Sequence, residues 1–393
     1  MINFQNVIQC LSVVLLLFVG AFFPLLTLLA LLLIVPFLNL NIALNQFFVA
    51  TISALFFAII NTLKTPDSDM LVYIEAINLV SYLNFFEVFN FSFVSLRSSE
   101  FVFNFYLWFI SLIDSTGWLF SFVSVFFVYF VFVKVCYNFF QINSVNFSLL
   151  VVGVLFFSVT FSLTGHLVRQ YMAAVSFLLG VSYLHKNVRK GYAIMILSIF
   201  VHNSMVPFLL LYPIINRFIR SSNWFVFTIA SLAISFLLSG FTILLRSFIE
   251  IGFIKNDGDI PLSLLIFDLL LFLIFLALRL KNGIIKSSTD NVFSVTVLAV
   301  CCLVITFDMK LLFLRYYFLM DFLRPFAIIS LLLYFNKKML IKELYSKLFL
   351  FCGFVVFLLR LDSSPWDYGN DSLNLIFGTT LFELSSRLTD VWW

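Results

Sequence analysis

The side chains best suited to chemistry begin where a long apolar stretch opens. His166 lies three residues before Arg169 and four before Gln170, so a helix places all three on one face. An arginine facing hydrocarbon costs roughly 2.5 kcal/mol or more, so Arg169 is expected to face protein, water, headgroups or an anionic ligand. The face predicts an anion site, with Arg169 forking onto phosphate oxygens and His166 available for proton transfer. The alternative is an arginine that extends to the interface beside a surface histidine.

The tripeptide His202-Asn203-Ser204 interrupts a second apolar stretch. Residues 191–216 form either one long helix with His202 near its middle or two short helices that meet at the tripeptide, and we favour two. Caps of the second helix would explain Asn203 and Ser204. Capping does not explain a histidine, so His202 is a candidate for a catalytic or substrate-binding role.

The run FDMKLLFLRYYFLMDFLRP carries charges inside an otherwise apolar helix. Asp321 and Arg324 are three residues apart and could neutralise each other. Arg315, followed by Tyr316, lacks a local partner in sequence and is a candidate for a second phosphate contact. Asp268 stands alone in another apolar stretch, where burial requires a partner that the sequence does not identify.

The composition determines the kind of element that positions these groups. Hydrophobic residues make up 63% of the 393 residues and charged residues 11%, whereas soluble domains carry about 25% charged residues. This predicts a polytopic membrane protein. Long apolar runs favour helices over the alternating segments of a β-barrel, so the fold class is all-α. The net charge of +4 is spread out and does not indicate nucleic-acid binding.

Apolar runs separated by charged loops predict about thirteen helices, equivalent to about 12–14 membrane spans in a single transmembrane domain over residues 1–393. The predicted helices cover residues 7–20, 25–40, 44–62, 116–134, 146–164, 167–184, 191–202, 204–218, 223–243, 262–279, 291–307, 311–334 and 344–360.

Most Lys and Arg residues fall in inner loops when the amino terminus lies inside. This orientation leaves two long segments, 63–115 and 361–393, on the outer face. Their aromatic content predicts interfacial helices or a lid on the membrane surface. Residues 101–112 are too short to span comfortably and are predicted to be re-entrant.

Segment 63–115 carries further candidate carboxylates, in Asp67-Ser68-Asp69 and at Glu100. Asp67-Ser68-Asp69 matches the D-x-D pattern with which many soluble glycosyltransferases hold a metal and a nucleotide sugar. Nucleotide sugars belong to the cytoplasm and this segment is predicted outside, so we favour turn chemistry after Pro66 and expect no metal. Glu100 opens an aromatic stretch and is either a base or a hydrogen-bonded packing residue. The sequence has no GxxxxGK[ST], HExxH or GxSxG motif, and no cofactor is expected.

The ordered set of motifs resembles the EpsG and Wzy-type O-antigen or exopolysaccharide polymerases of bacterial inner membranes. Similar proteins have an aspartate followed a few residues on by a tyrosine, here Asp69 and Tyr73. A glutamate then opens an aromatic segment, here Glu100-Phe101, where a proline often follows the glutamate.

The second half of the resemblance covers the polar groups in the apolar stretches. An arginine-led span, here Arg169-Gln170 with Ala173, precedes a helix that ends in His-x-Ser, here His202-Asn203-Ser204. The commonest form is His-Lys-Ser, from which Asn203 departs. The pair Arg315-Tyr316 completes a resemblance that extends over residues 65–325.

The resemblance implies a fold related to lipid-dependent, GT-C-like glycosyltransferases in the bacterial inner membrane, with the active site facing the periplasm. The implied substrate is an undecaprenyl-diphosphate-linked oligosaccharide, whose glycan moves onto a sugar hydroxyl of an incoming lipid-linked repeat unit. Membrane lipids and a chain-length regulator are the other implied partners.

The resemblance also implies roles for the candidate residues. The diphosphate would be bound by Arg169, Arg315, Gln170 and Arg324, and the glycan by Asn203, Ser204, Tyr73 and Tyr316. The candidates for the base are His202, His166, Glu100 and Asp69.

Two other functions use the same chemistry. A flippase for lipid-linked oligosaccharides would also hold a diphosphate with arginines, but should place them along a path through the membrane. Here Arg169, Arg315 and the two histidines fall toward one predicted face, which favours an enzyme. An O-antigen ligase shares the donor, and the sequence separates it poorly from a polymerase.

Overall fold

The computed structural model describes residues 19–20, 22–38, 41–67, 69–94, 96–140, 145–157, 167–248, 262–282, 287–307, 309–335, 339–363 and 372–392. Within these residues the secondary structure is helical, and no β-strand is present. The predicted all-α fold of a polytopic membrane protein is confirmed. His166 and the first predicted helix, apart from residues 19–20, lie outside the described residues.

The described residues form sixteen α-helices. In chain order they are α1 (Pro24–Ile34), α2 (Ile42–Thr62), α3 (Asp69–Val80), α4 (Phe101–Ser111), α5 (Trp118–Phe140), α6 (Val145–Phe157), α7 (Val168–Tyr183), α8 (Val188–Val201), α9 (Val206–Ile219), α10 (Trp224–Phe248), α11 (Leu262–Asn282), α12 (Ser287–Ile305), α13 (Lys310–Phe335), α14 (Met339–Asp362), α15 (Ser372–Phe377) and α16 (Leu381–Trp392).

Twelve of the thirteen predicted helices have a counterpart in the structure. These counterparts are α1, α2 and the ten helices from α5 to α14. By length and composition, 4 of them could cross a membrane: α2, α5, and the apolar parts Trp224–Phe241 of α10 and Leu344–Asp362 of α14. Helices α3, α4, α15 and α16 occupy the two segments for which no crossing is predicted. The predicted re-entrant stretch forms the short helix α4.

The chain forms two compact units. Unit 1 comprises Met1–Lys134, Ile142–Val168 and Glu343–Trp393, as far as these are described. Unit 2 comprises Val135–Gln141 and Arg169–Lys342. The residues that the motifs single out therefore divide between the units, with Asp69, Tyr73 and Glu100 in unit 1 and the others that the structure describes in unit 2.

Unit 1 brings its two non-crossing segments to one end. The indole Nε1 of Trp392 in α16 donates a 2.7 Å hydrogen bond to the carbonyl of Thr62, the last residue of α2. Gly117, which has a φ of +94° just before α5, lies against Ile74 of α3 and the same Trp392 ring. The end of α2, the start of α5 and helices α3 and α16 therefore meet at one boundary of the unit.

Helices α6 and α14 cross in backbone contact within unit 1. A Cβ at Gly353 would overlap the carbonyl oxygen of Gly153, and a Cβ at Gly153 would lie 2.9 Å from the Cα of Leu350. Small residues at such crossings let membrane helices approach closely, which strengthens their van der Waals packing.

Replacement of Gly353 by alanine is therefore expected to destabilise unit 1 by about 1–3 kcal/mol, the usual range for overpacking. Gly240 is the matched control, because it also lies inside a helix but has no heavy atom within 4 Å of its Cβ position. The measurement is the unfolding temperature of the detergent-solubilised variants. Equal unfolding temperatures for Gly353→Ala and Gly240→Ala would contradict the close crossing.

Helix α12 is the central helix of unit 2. It contacts α9, α10, α11 and α13, and its side chains are buried along most of its length. Near its start, Asp290 pairs with Arg279 of α11 at 3.2 Å. The Arg279 guanidinium lies between the rings of Trp224 and Phe293 and donates to the last carbonyl of α9, at Ile219. These contacts join four helices at one end of the unit.

Candidate functional site

Arg169 and Gln170 lie in the first turn of α7, and their side chains are buried, with relative exposures of 3% and 9%. The first turn of a helix has backbone N–H groups without intrahelical acceptors and the positive end of the helix dipole. Both features favour an anion at this position, and the guanidinium of Arg169 adds a full positive charge.

Helices α7 and α8 form an antiparallel pair. Residues 184–187 connect them, and the amide nitrogens of Lys186 and Asn187 donate to the Tyr183 carbonyl at 2.9 and 2.8 Å. Beyond this turn the backbones touch, because a Cβ at Gly180 would lie 2.7 Å from the carbonyl oxygen of Gly191.

The connection of α7 to α8 determines which residues lie at the helix ends remote from the turn. Arg169 lies eleven residues before Gly180, and His202 lies eleven residues after Gly191. At 1.5 Å per helical residue, both positions are about 16 Å along the pair from the glycine contact. Arg169 and His202, which are far apart in sequence, therefore both lie at helix ends remote from the turn that connects α7 to α8.

The helix breaks at His202, as the two-helix interpretation of residues 191–216 predicts. His202 has extended backbone angles, with φ −155° and ψ 126°, and its side chain is 4% exposed. A 3-10 turn, Asn203–Met205, follows, and α9 begins at Val206 with Pro207 in its first turn. The proline lacks an N–H, so it starts this helix without losing a hydrogen bond.

The alternative explanation of Asn203 and Ser204 as caps of the second helix is wrong. The N-cap of α9 is Met205, and neither this cap nor the one of the 3-10 turn has a side-chain hydrogen bond. The Ser204 hydroxyl is buried and has no hydrogen-bond partner among the described residues. The tripeptide therefore has a role other than capping the next helix.

Helix α13 contributes the pair Arg315-Tyr316. The ring of Tyr316 packs edge-on against Phe208 in the first turn of α9, with 5.6 Å between the centroids. Phe208 in turn contacts Phe177 of α7. The Arg315 side chain is exposed. The sequence neighbour of Arg315 thus joins α13 to the helix that begins just after the His202 break.

A buried polar network links α7, α11 and α13. Arg324 forms a two-pronged ion pair with Asp268, with distances of 2.6 and 2.9 Å, and a 2.7 Å ion pair with Asp321. Asp321 also accepts a 2.7 Å hydrogen bond from the hydroxyl of Tyr171. The predicted pairing of Asp321 with Arg324 is confirmed, and Arg324 is the partner that Asp268 requires.

The two arginines of α13 therefore differ in their surroundings. Arg324 is 6% exposed, and its guanidinium lies between two carboxylates. It also donates a 3.2 Å hydrogen bond to the hydroxyl of Tyr317. An anion would have to compete with both carboxylates for Arg324. Arg315 lies on the surface and forms no ion pair with a carboxylate among the described residues, so an anion can reach it.

The candidates in unit 1 have a different setting. Asp69 is the first residue of α3, and Glu100 is buried in the 3-10 turn that precedes α4. Tyr73 is fully buried, and its ring packs against Phe103 and Phe120 at 5.6 and 5.5 Å. This environment suits aromatic packing, so a contact of Tyr73 with a glycan stays a prediction.

Comparison with protein families decides the relationship. The sequence profile of the EpsG family matches residues 47–374, which is most of the chain. The chain belongs to the EpsG family. Membership in the EpsG family indicates a polysaccharide polymerase-type role, acting on lipid-linked oligosaccharide in a membrane. No curated protein and no solved structure matches the chain.

The sequence of this EpsG-family protein does not single out Tyr171, which lies near the start of α7 and bonds to Asp321. Tyr171 lies in the same helical turn as Arg169 but looks like any aromatic residue of an apolar helix. The available signal was indirect: Asp268 and Asp321 exceed Arg324 by one charge, so a buried network needed a further donor. The sequence did not show which hydroxyl would supply it.

Proposed function

We propose that this EpsG-family protein lengthens a polysaccharide by transferring the nascent glycan from undecaprenyl diphosphate onto an incoming lipid-linked repeat unit. The reaction takes place at the periplasmic face of the bacterial inner membrane. The observation that carries the proposal is that a buried arginine, Arg169, starts α7 and a buried histidine, His202, ends α8, both remote from the turn that connects these helices. A guanidinium and an imidazole are the two kinds of group that the transfer needs.

The leaving group explains the arginines. As the bond between the anomeric carbon and the diphosphate oxygen breaks, the electron pair goes to that oxygen and negative charge grows on the diphosphate. Groups that bind this charge more tightly in the transition state than in the substrate lower the barrier. In the proposal Arg169 binds the diphosphate from the start of α7, with the side-chain amide of Gln170 beside it, and Arg315 supplies a second cation from α13.

The acceptor explains the histidine. A sugar hydroxyl of the incoming unit attacks the anomeric carbon, and its proton moves to His202 as the new glycosidic bond forms. Such general-base help contributes about 100-fold to 10,000-fold. The polar side chains of Asn203 and Ser204 at the same break are proposed to contact the sugars, together with Tyr316 of α13, whose ring packs against Phe208 at the start of α9. His166, Glu100 and Asp69 remain alternative bases.

The direct test is incubation of purified protein with a synthetic lipid-diphosphate repeat unit. We expect a ladder of longer glycans without added metal, nucleotide or energy source. Movement of the lipid-linked unit across a vesicle membrane without any lengthening would instead support a flippase. Transfer only onto a lipid A core, with no self-lengthening, would support a ligase, and either result would overturn the proposal.

Replacement of His202 by alanine is expected to slow glycan lengthening at least 100-fold while the protein stays in the membrane, because the base is lost. The measurement is the rate of ladder formation by purified protein. His185→Ala is the matched control, since His185 lies in the α7–α8 turn at the other end of the pair, where burial and Lys186 lower its pKa. Equal rates for both variants would remove His202 from the mechanism.

A further inference from the structure

The network of Tyr171, Asp321, Arg324 and Asp268 connects the start of α7 to the middle of two other helices. Each of its four members is at least nine-tenths buried. No member has a role in the proposed reaction: the resemblance implies diphosphate binding by Arg324, but this arginine is bound by Asp268 and Asp321. We propose that this network positions Arg169 for binding the lipid diphosphate, an inference that rests on the proposed function.

The contact with α7 is specific. The Tyr171 hydroxyl donates to one oxygen of Asp321, while Arg324 donates to the other oxygen at 2.7 Å. The Tyr171 ring also packs edge-on against Phe322, with 5.4 Å between centroids. A ring contact and a charge-assisted hydrogen bond together fix both the rotation and the height of the first turn of α7.

The far side of the network is rigid as well. Arg324 uses both terminal nitrogens and Nε in hydrogen bonds to Asp268 and Asp321, and its guanidinium lies 4.5 Å from the centre of the Tyr317 ring. A planar fork held by two carboxylates has little freedom to rotate. Asp321 is therefore an acceptor held in place for the Tyr171 hydroxyl, and its side chain does not move with α7.

The network also relates Arg169 to Arg315. Arg315 and Phe322 are seven residues apart on α13, which places them on one helix face about 10 Å apart along the axis. Phe322 contacts Tyr171, and Tyr171 lies two residues after Arg169. The turn of α7 that carries Arg169 is therefore held against α13 about two helical turns from Arg315. Loosening Tyr171 would let the two cations drift from the separation that a diphosphate requires.

Tyr171→Phe is the cleanest probe, because it removes the hydroxyl and keeps the ring on Phe322. Tyr212→Phe is the matched control: Tyr212 is also fully buried in unit 2 and packs on α7, but its hydroxyl has no hydrogen-bond partner among the described residues. The quantity measured is the affinity of the purified, lipid-reconstituted protein for undecaprenyl diphosphate. A binding measurement gives a value even for inactive variants.

We expect Tyr171→Phe to weaken binding about tenfold, a factor that corresponds to about 1.4 kcal/mol, and Tyr212→Phe to leave it unchanged. Because Tyr171 acts through Arg169, Tyr171→Phe should have no further effect in an Arg169→Ala background. A purely structural role would lower affinity by the same factor in both backgrounds. Equal factors, or equal affinities of Tyr171→Phe and Tyr212→Phe, would overturn the inference.

The inference and the proposed function fail differently. If wild-type protein makes a glycan ladder but Tyr171→Phe binds undecaprenyl diphosphate normally, the positioning role is wrong and the polymerase proposal stands. If wild-type protein makes no ladder while Tyr171→Phe and Arg169→Ala show the coupled loss of affinity, the network positions an anion-binding arginine in a protein with another activity.

Discussion

Arg169→Ala is expected to leave the protein in the membrane and to reduce surface glycan to a single repeat unit on each lipid anchor. Removal of one group that stabilises transition-state charge lowers the rate about 100-fold to 1,000-fold, which is enough to prevent long chains. The measurement is the length distribution of surface glycan in cells whose only copy of the gene encodes the variant, with the membrane level of the protein determined in parallel.

Arg217→Ala is the control, because Arg217 is an exposed arginine in the last turn of α9, far along that helix from the His202 break. It should support long chains at the wild-type level. Arg169→Lys distinguishes charge from geometry: a lysine keeps the positive charge but cannot fork onto two phosphate oxygens, so chains of intermediate length are expected. Long chains with Arg169→Ala at normal protein level would exclude Arg169 from the reaction.

Much of the fold follows from hydrophobicity alone. Apolar runs bounded by charges predict the helices from α1 to α14, with the exception of the short α3 and α4, because a helix satisfies its own backbone hydrogen bonds in lipid. The break at His202 is predictable for the same reason, since His, Asn and Ser in succession interrupt the run. The two-unit arrangement is not predictable, because it depends on which buried faces fit together rather than on any single run.

The site is predictable only in part. The pattern of Arg169 and His202 indicates polar function in an apolar context, but their location at helix ends remote from the turn depends on that short turn and on the contact of Gly180 with Gly191. No sequence rule pairs residues at that distance in the chain. The alternatives for Arg324 were also open in sequence, since an arginine three residues from an aspartate can bind a ligand or its neighbour.

Asp268 shows most clearly which contacts the sequence alone does not predict. Its burial demands a partner, and the partner is 56 residues away on α13. Local spacing favours Asp321 as the only partner of Arg324, yet the geometry of a guanidinium allows it to bind two carboxylates at once. The structure uses that capacity, and the result is a network that reaches the turn of α7 beside Arg169.

The second prediction concerns the contribution of this buried network to protein stability. Arg324→Ala is expected to destabilise the protein by about 3–5 kcal/mol, because it leaves Asp268 and Asp321 buried without their cation. The expected result is a sharp fall in the amount of folded protein in the membrane and a lower unfolding temperature after solubilisation. Arg315→Ala is the matched control on the same helix, since the Arg315 side chain is exposed and its removal leaves no buried charge.

A second substitution tests the electrostatic cause. Adding Asp268→Asn to Arg324→Ala removes one of the two uncompensated carboxylates, so the double variant should regain part of the lost stability. Loss of packing alone would give no recovery, because the asparagine fills the same space as the aspartate. Two results would contradict this explanation: Arg324→Ala unfolding at the wild-type temperature, or a double variant less stable than the single one. Either would show that the buried ion pairs do not stabilise the protein as their geometry predicts.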